Sequence, residues 1–399
     1  MIVLVLGIIA LLVCMSITPS VAVDTIQQSS IPISNGKTLY VGGSGGGNYT
    51  TIQSAIDDAN SGDTVFVYNG TYYECFIKIW DGINLIGENK YTTIIDGKNI
   101  QLPIIIIEED NVKISGFTIQ KGYEGIRCYS YNNITIEDNI IRNNAEYGIC
   151  FELGYQGIIN NIISNNLITN TRIGILIDGG MSPYSTINIT ISKNIITNND
   201  NRGILLDSTQ NITIRDNNII NNDVGIVIVQ SINNDIKDNN ITSNNEGILL
   251  GLAEWNTIRD NNIINNSIGL NSCNSWRNNI TKNNFIGIKI NAYFSYQWLI
   301  IIAIIVTPNI WDSNYWDNWK GNGPKIIFGG LSRTGTFIIE ILAVILEVLK
   351  LDKISDIMVE LFILRDKPPF TLGRKIGTIP LIQFDRNPAK EPYNIEVVI

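Results

Sequence analysis

The chain has 399 residues, 37 acidic against 28 basic side chains for a net charge of -9, and no histidine. That balance leaves no cationic footprint for nucleic acid or an anionic membrane surface, and the missing imidazole removes Ser-His and Cys-His nucleophile pairs and the usual His ligands of zinc and copper. The chain holds 52 Asn and 80 Ile, about a third of all positions, whereas ordinary globular domains lean on Leu, Ala, Gly, Val and Ser.

Residues 2–13 are almost unbroken aliphatics, followed by the small-x-small step Ser20-Val21-Ala22. This predicts a secretory signal peptide over 1–22 and an extracellular or cell-surface protein, with an uncleaved anchor as the alternative. Cys14 falls inside that segment, and Cys75, Cys128, Cys150 and Cys273 remain. With no CxxC or dense framework, they read as mostly buried thiols. Residues 51–60 place Ile52, Ala55, Ile56 and Ala59 on one stripe, which predicts a helix capping the first coil of a solenoid. Residues 71–112 then read as two or three irregular coils.

The regular part begins near 113. Ile214-Arg-Asp-Asn-Asn-Ile219, Ile236-Lys-Asp-Asn-Asn-Ile241 and Ile258-Arg-Asp-Asn-Asn-Ile263 recur every 22 residues. The same frame extends to Ile114, Ile136, Ile163, Ile191 and Ile280, each followed by a Gly-aliphatic landmark at Gly125, Gly148, Gly174, Gly203, Gly225, Gly247, Gly269 and Gly287. The alternating pieces between Asn-rich corners are strand length. Strands so short bury an apolar face only by stacking coil on coil at ~4.8 Å, which is the right-handed parallel β-helix. It is predicted over 37–297, with regular coils over 113–293. Asn139, Asn166, Asn194, Asn217, Asn239, Asn261 and Asn283 form one expected ladder, given the double role of serving left-handed corners and bonding coil to coil. Ile119, Ile141, Ile168, Ile196, Ile219, Ile241, Ile263 and Phe285 form one expected core line.

Residues 298–399 read as a C-terminal capping region. The apolar run 298–306 is too short to cross a bilayer. In 336–364 the apolar period changes to three and four, predicting a helical hairpin, and Pro368-Pro369 ends it before an extended tail.

Thr38-Leu-Tyr-Val-Gly-Gly, Tyr49-Thr-Thr-Ile-Gln-Ser-Ala-Ile, Gly62-Asp-Thr-Val-Phe-Val, the Asn-Ile-Thr-Ile repeats, Trp311-Asp-Ser-Asn-Tyr-Trp-Asp-Asn-Trp319 and Pro388-Ala-Lys-Glu-Pro-Tyr393 resemble archaeal exported proteins of the NosD type. The resemblance spans about 37–330 and the last twenty residues. It implies a right-handed β-helix and copper delivery to nitrous oxide reductase. A chain with no His and four scattered Met lacks the soft ligands such a site wants, so copper is disfavoured.

Aligned on the landmark glycines, Glu152, Asp178 and Asp207 fall four residues after Gly on successive coils. They are expected to face out, ~5 Å apart. That spacing suits general acid/base work or a Ca²⁺ site, with Arg172 or Arg202 as the adjacent cation of a catalytic groove. The enlarged coils 153–157 and 179–186 add Tyr155 and Tyr184 beside the acids. Trp255 and Trp276, and more loosely Trp298, recur near the repeat length and could stack sugars. The Asp216, Asp238, Asp260 line reads as solvated corners balanced by Arg215, Lys237 and Arg259. Leu176, Leu205, Val227 and Leu249 form an outward aliphatic strip, expected to lie under the hairpin or to serve self-association. The favoured reading is a non-catalytic surface protein binding polysaccharide or an envelope component. The competing class is a polysaccharide lyase or hydrolase using the three carboxylates.

Overall fold

The computed structural model describes residues 36–152, 158–180, 187–296, 308–319, 325–331, 379–385 and 387–395. The expected signal peptide over 1–22, Tyr155, Tyr184, Trp298 and the hairpin over 336–364 lie outside them.

Each coil contributes three strands, shown by Arg202–Asp207, Ile212–Arg215 and Asn218–Ile220. Stacked, these give three parallel faces: a broad one running from Ile77–Ile79 to Lys325–Leu331, a middle one from Thr38–Val41 to Ile310–Asp312, and a narrow one of eleven strands from Gly70–Tyr72 to Tyr315–Trp316. The fold is the all-β, right-handed parallel solenoid expected, with about eleven turns. Parallel pairing continues past residue 297, since Asn279 pairs with Ile310, Phe285 with Trp316 and Phe294 with Gly329. The C-terminal segment therefore extends the stack, and its last strand, Ile379–Asp385, pairs antiparallel with Lys325–Leu331.

The expected core line from Ile119 to Phe285 is fully buried, and Trp316 extends it by stacking on Phe285 at 4.3 Å between ring centroids. The helix at the start is shorter than the stripe suggested, Ile52–Asp57. Thr51 caps it, Glu74 accepts the Ile52 and Gln53 N–H groups at 2.8 and 3.1 Å, and Ile52, Ala55 and Ile56 are buried.

The two roles given to Asn belong to two different columns. The ladder residues are buried and come one residue after the left-handed position: Asn217 N–H donates to Asn239 Oδ1, Asn239 N–H to Asn261 Oδ1, and Asn261 N–H to Asn283 Oδ1, at 3.0 to 3.1 Å. The left-handed conformation falls on the preceding residue, Asp216, Asp238 and Asp260, at φ 58°, 56° and 55°. A short polar side chain tolerates that conformation, and the following amide closes the corner from inside. A second buried ladder runs from Thr171 through Asn199, Asn222 and Asn244 to Asn266, and a third from Asn234 through Asn256 and Asn278 to Asn309.

The landmark glycines are required by close approach. A Cβ on Gly148 would stand 2.6 Å from Gly174 O and 2.7 Å from an Ile168 methyl. Gly287 is not one of them. Ile268 pairs with Ile290 and Leu270 with Ala292, so Asn291 fills the landmark position, while Gly287 takes a left-handed corner at φ 65°.

Candidate functional site

On the broad face alternate residues point in and out. Ile175, Ile177, Ile204 and Leu206 are fully buried in the core. The outward aliphatic strip is real: Leu176, Leu205, Val227 and Leu249 are in direct register, with Cys150 preceding them. Leu176, Leu205 and Val227 are nonetheless 7, 8 and 2% exposed and form a second apolar cluster with Cys150 and Ile173.

Along the edge of the same face, Glu152 pairs with Asp178 and Asp178 with Asp207. The row begins earlier than the acids. One residue beyond the registers Ile79 to Ile107, Ile107 to Cys128 and Cys128 to Phe151 stand Trp80, Glu108 and Tyr129, directly ahead of Glu152. Trp80 is 46% and Tyr129 39% exposed. After Asp207 the row passes through Val229 to Gly251.

One cation organises the centre of this row. Arg127 Nη1 donates to Glu152 Oε2 at 2.6 Å and Nε to Glu124 Oε2 at 2.5 Å, Nη2 donates to Glu124 Oε1, and the guanidinium lies 5.8 Å from the Tyr129 ring centroid. The fork on Glu124 matches the planar geometry of guanidinium and carboxylate. Its hydrogen bonds raise the Arg127 pKa above the ordinary arginine value against the opposing effect of burial. The other two acids find separate partners: Asp178 Oδ1 accepts the Gly180 N–H at 2.9 Å, and Asp207 Oδ1 accepts the Ser208 hydroxyl at 3.0 Å. The converging ligands a Ca²⁺ ion needs are not assembled there, and among the described residues no group of three or more His, Cys, Asp or Glu could hold a metal ion.

Arg172 and Arg202 are not beside the acids. Arg202 begins the strand that Asp207 ends, and Arg172 precedes the strand that Asp178 ends, a separation of roughly 16–20 Å at the strand rise. Arg172 pairs with Glu146. With Asn143, Asn170, Thr171 and Asp200 it lines a shallow polar cleft of about 250 Å³. A cleft holding the three acids and one of these arginines is therefore replaced by a row served by Arg127.

The tryptophans also part. Glu254 bridges to Trp276, so Trp255 aligns with Arg277, whose guanidinium lies 4.9 Å from the Trp255 ring centroid. The 21-residue interval misses the repeat by one. Trp255 is 53% exposed, and Trp276 is partly buried. In the corner line, Arg215 pairs with Asp216 at 2.6 Å and Arg259 with Asp260 at 3.0 Å.

Arg127 and Tyr129 were within reach of the repeat alignment, since they fall two and four residues after Gly125, the same positions as Leu176 and Asp178 after Gly174. Trp80 and Glu108 precede the regular repeats and carry no landmark. Only strand pairing places them.

Three stacked faces with internal amide ladders define a right-handed parallel β-helix. Residues 56–188 and 160–321 match the family of the periplasmic copper-binding protein NosD, and the chain belongs to that family. No curated protein matches the sequence. Among solved structures, the chain is similar to the A-modules of two Azotobacter vinelandii mannuronan C-5 epimerases. AlgE6 has 18% identity and AlgE4 17%, each with TM-score 0.54, covering 70% of this chain and 83% of the other. XylC in complex with xylose matches at 12% identity and TM-score 0.50, covering 65% and 75%. At these identities the likeness is one of fold.

The family is described as a periplasmic one, and no helix among the described residues is long and apolar enough to cross a membrane. Among the described residues the donor set does not fit copper. There is no His, and Cys128 and Cys150 are buried with thiol pKa values pushed far up by that burial, which opposes the thiolate a soft metal needs. Cys75 and Cys273 are partly exposed. All four Met lie outside the described residues.

Proposed function

We propose that this exported β-helix is a non-catalytic carbohydrate-binding protein that holds a polysaccharide or envelope glycan against the edge row of its broad face. The carrying observation is the register that puts the exposed rings of Trp80 and Tyr129 in one line with Glu108, Glu152, Asp178 and Asp207. Aromatic rings present flat apolar surface to the C–H face of a pyranose, and carboxylates accept hydrogen bonds from its hydroxyls. A glycosidase instead sets two carboxyl groups across a scissile bond, one as acid and one as base or nucleophile. Here Glu152 is engaged by Arg127, Asp178 by Gly180 and Asp207 by Ser208, and the polar cleft is at the far end of the strands.

The test is retention of the mature protein on insoluble polysaccharides and a glycan array, with Trp80→Ala and Tyr129→Ala beside it. Retention that drops about tenfold or more in either variant, without sugar turnover, supports the reading. Turnover abolished by Glu152→Gln or Asp178→Asn would replace it with the enzyme, and a parent protein retained on nothing would remove it.

A further inference from the structure

We infer that the edge row continues beyond its acids into a single track, from Trp80 to Trp255, that seats a linear polysaccharide parallel to the solenoid axis; this rests on the carbohydrate reading and specifies the shape of its ligand. From Trp80 to the coil of Gly251 the row climbs seven coil steps, about 34 Å at ~4.8 Å per step. A pyranose in an extended chain advances by about one such step, so the track accommodates about seven sugars.

Three features of the far end support the extension. The first is backbone strain in the coil of Gly251. The left-handed position just after the row holds Ser208, Gln230 and Asn274 in other coils, but Leu252 here, at φ 54° and 42% exposed. The next left-handed corner holds Asn211 and Asn233 in earlier coils, but Trp255 here and Arg277 in the coil that follows, at φ 57° and 58°, and Trp255 is 53% exposed. A residue other than Gly, Asn or Asp in that conformation costs about 1–2 kcal/mol through its Cβ, and an exposed side chain recovers little of it by burial. Conformational cost retained at an exposed site points to a role outside folding.

The second feature is the way Trp255 is held. Arg277 lies 4.9 Å from the ring centroid and 3.8 Å from Glu254, so polar groups that pair with hydroxyls flank the indole. The third is Gly251. Its φ is not left-handed, and a Cβ there would meet only Val229 methyls at 3.6 and 3.9 Å, an ordinary contact. The fold does not require glycine at this position, unlike the landmark glycines. A glycine lowers the surface of the row where a ligand would pass towards Leu252 and Trp255.

Calorimetric titration of the mature protein with cello-, xylo-, chito- and mannurono-oligosaccharides, from dimer to decamer, reads this directly. For the series that binds, affinity is expected to climb with length and level off near the heptamer. Trp255→Ala and Gly251→Val are each expected to weaken the decamer by tenfold or more while leaving the tetramer unchanged. Trp255→Asn, which gives this corner the residue that Asn211 and Asn233 supply in earlier coils, is expected to weaken the decamer as Trp255→Ala does while keeping or raising the melting temperature, because Asn tolerates the left-handed conformation, so lost binding is separated from lost folding. A plateau at the tetramer, or equal loss for short and long oligomers, overturns the track while leaving Tyr129-dependent binding intact. Absence of binding across every series removes the track together with the carbohydrate reading.

Discussion

Asn314 donates both its backbone N–H and its Nδ2 to one oxygen, Asp385 Oδ2, at 3.0 Å each. It is the last rung of the ladder that starts at Asn139, in which every Asn Oδ1 accepts from the coil before it. Past Asn314 no further coil among the described residues supplies an amide, and a strand that returns 71 residues later brings an acceptor-only carboxylate instead. Trp316 Nε1 donates to the same oxygen at 2.9 Å. Asp385→Ala is expected to leave these buried donors unmet, at about 1–3 kcal/mol for each that water does not reach. Hydrogen exchange should show the loss as faster exchange over 309–316 with the central coils unchanged. Asp385→Asn keeps an acceptor and should lose less.

Neighbouring residues at one corner are expected to respond in opposite directions. Asn239 is buried, and its Nδ2 donates to Ile214 O, Lys237 O and Asn261 Oδ1 at 2.8 to 3.0 Å. Asn239→Ala should cost on the order of 2–4 kcal/mol in urea unfolding, since several buried partners lose their bonds. The adjacent Asp238 takes the left-handed position, where burial, and then the charges of Asp260 and Asp216, hold its carboxyl above the usual carboxylate range. A folded-state value above the unfolded one means that stability is greatest when the group is protonated and is lost as pH rises through the raised value. Asp238→Asn keeps the corner conformation and removes the charge. It should therefore raise the urea midpoint at pH 7, with the gain shrinking as pH falls into the carboxylate range; a gain that persists at low pH would count against the electrostatic cause.

The coil stack was legible in the sequence because its period, apolar lines and ladder all recur at a fixed interval, and each depends on a stacking distance the backbone sets. Within one coil the sequence was less informative. Adjacent Asp238 and Asn239 are both polar corner residues, and only the direction of the side chain separates the strained one from the buried one. Glu152, Asp178 and Asp207 were aligned correctly by counting from glycine. Their partners were not, because counting gives position along a row and not across a strand. Arg172 is near Asp178 in sequence yet at the opposite end of its strand, whereas Arg127 is remote in sequence and one coil from Glu152. Trp255 and Trp276 failed by a single residue, which is enough to move a side chain to another column.

Two glycines of neighbouring coils on the broad face test the difference between a steric and a surface requirement. A Cβ on Gly225 would stand 2.6 Å from Gly247 O, a backbone atom that cannot step aside. Gly225→Ala is therefore expected to destabilise by about 1–3 kcal/mol through overpacking. Gly251→Ala meets nothing closer than 3.6 Å and is expected to leave the melting temperature within a degree or two, or to raise it by restricting the unfolded chain. Thermal unfolding of the two variants side by side decides it, and equal destabilisation would mean that the packing of the row is misjudged.

Arg127 joins a buried and an exposed carboxylate, and removing either partner should have unequal consequences. The Glu124 side chain is 1% exposed, that of Glu152 41%. Arg127→Met strands Glu124 as an uncompensated buried charge, expected to cost about 3–5 kcal/mol. Glu152→Gln removes only the exposed arm of the bridge and is expected to cost under about 1 kcal/mol. Replacing both members of the buried pair, Glu124→Leu with Arg127→Met, should recover most of the loss, because two apolar side chains of similar size need no compensation. A double-mutant cycle by urea unfolding measures the coupling. Glycan retention of the doubly replaced protein, with Tyr129 no longer backed by a guanidinium, then reports whether Arg127 positions that ring for sugar or serves the fold alone.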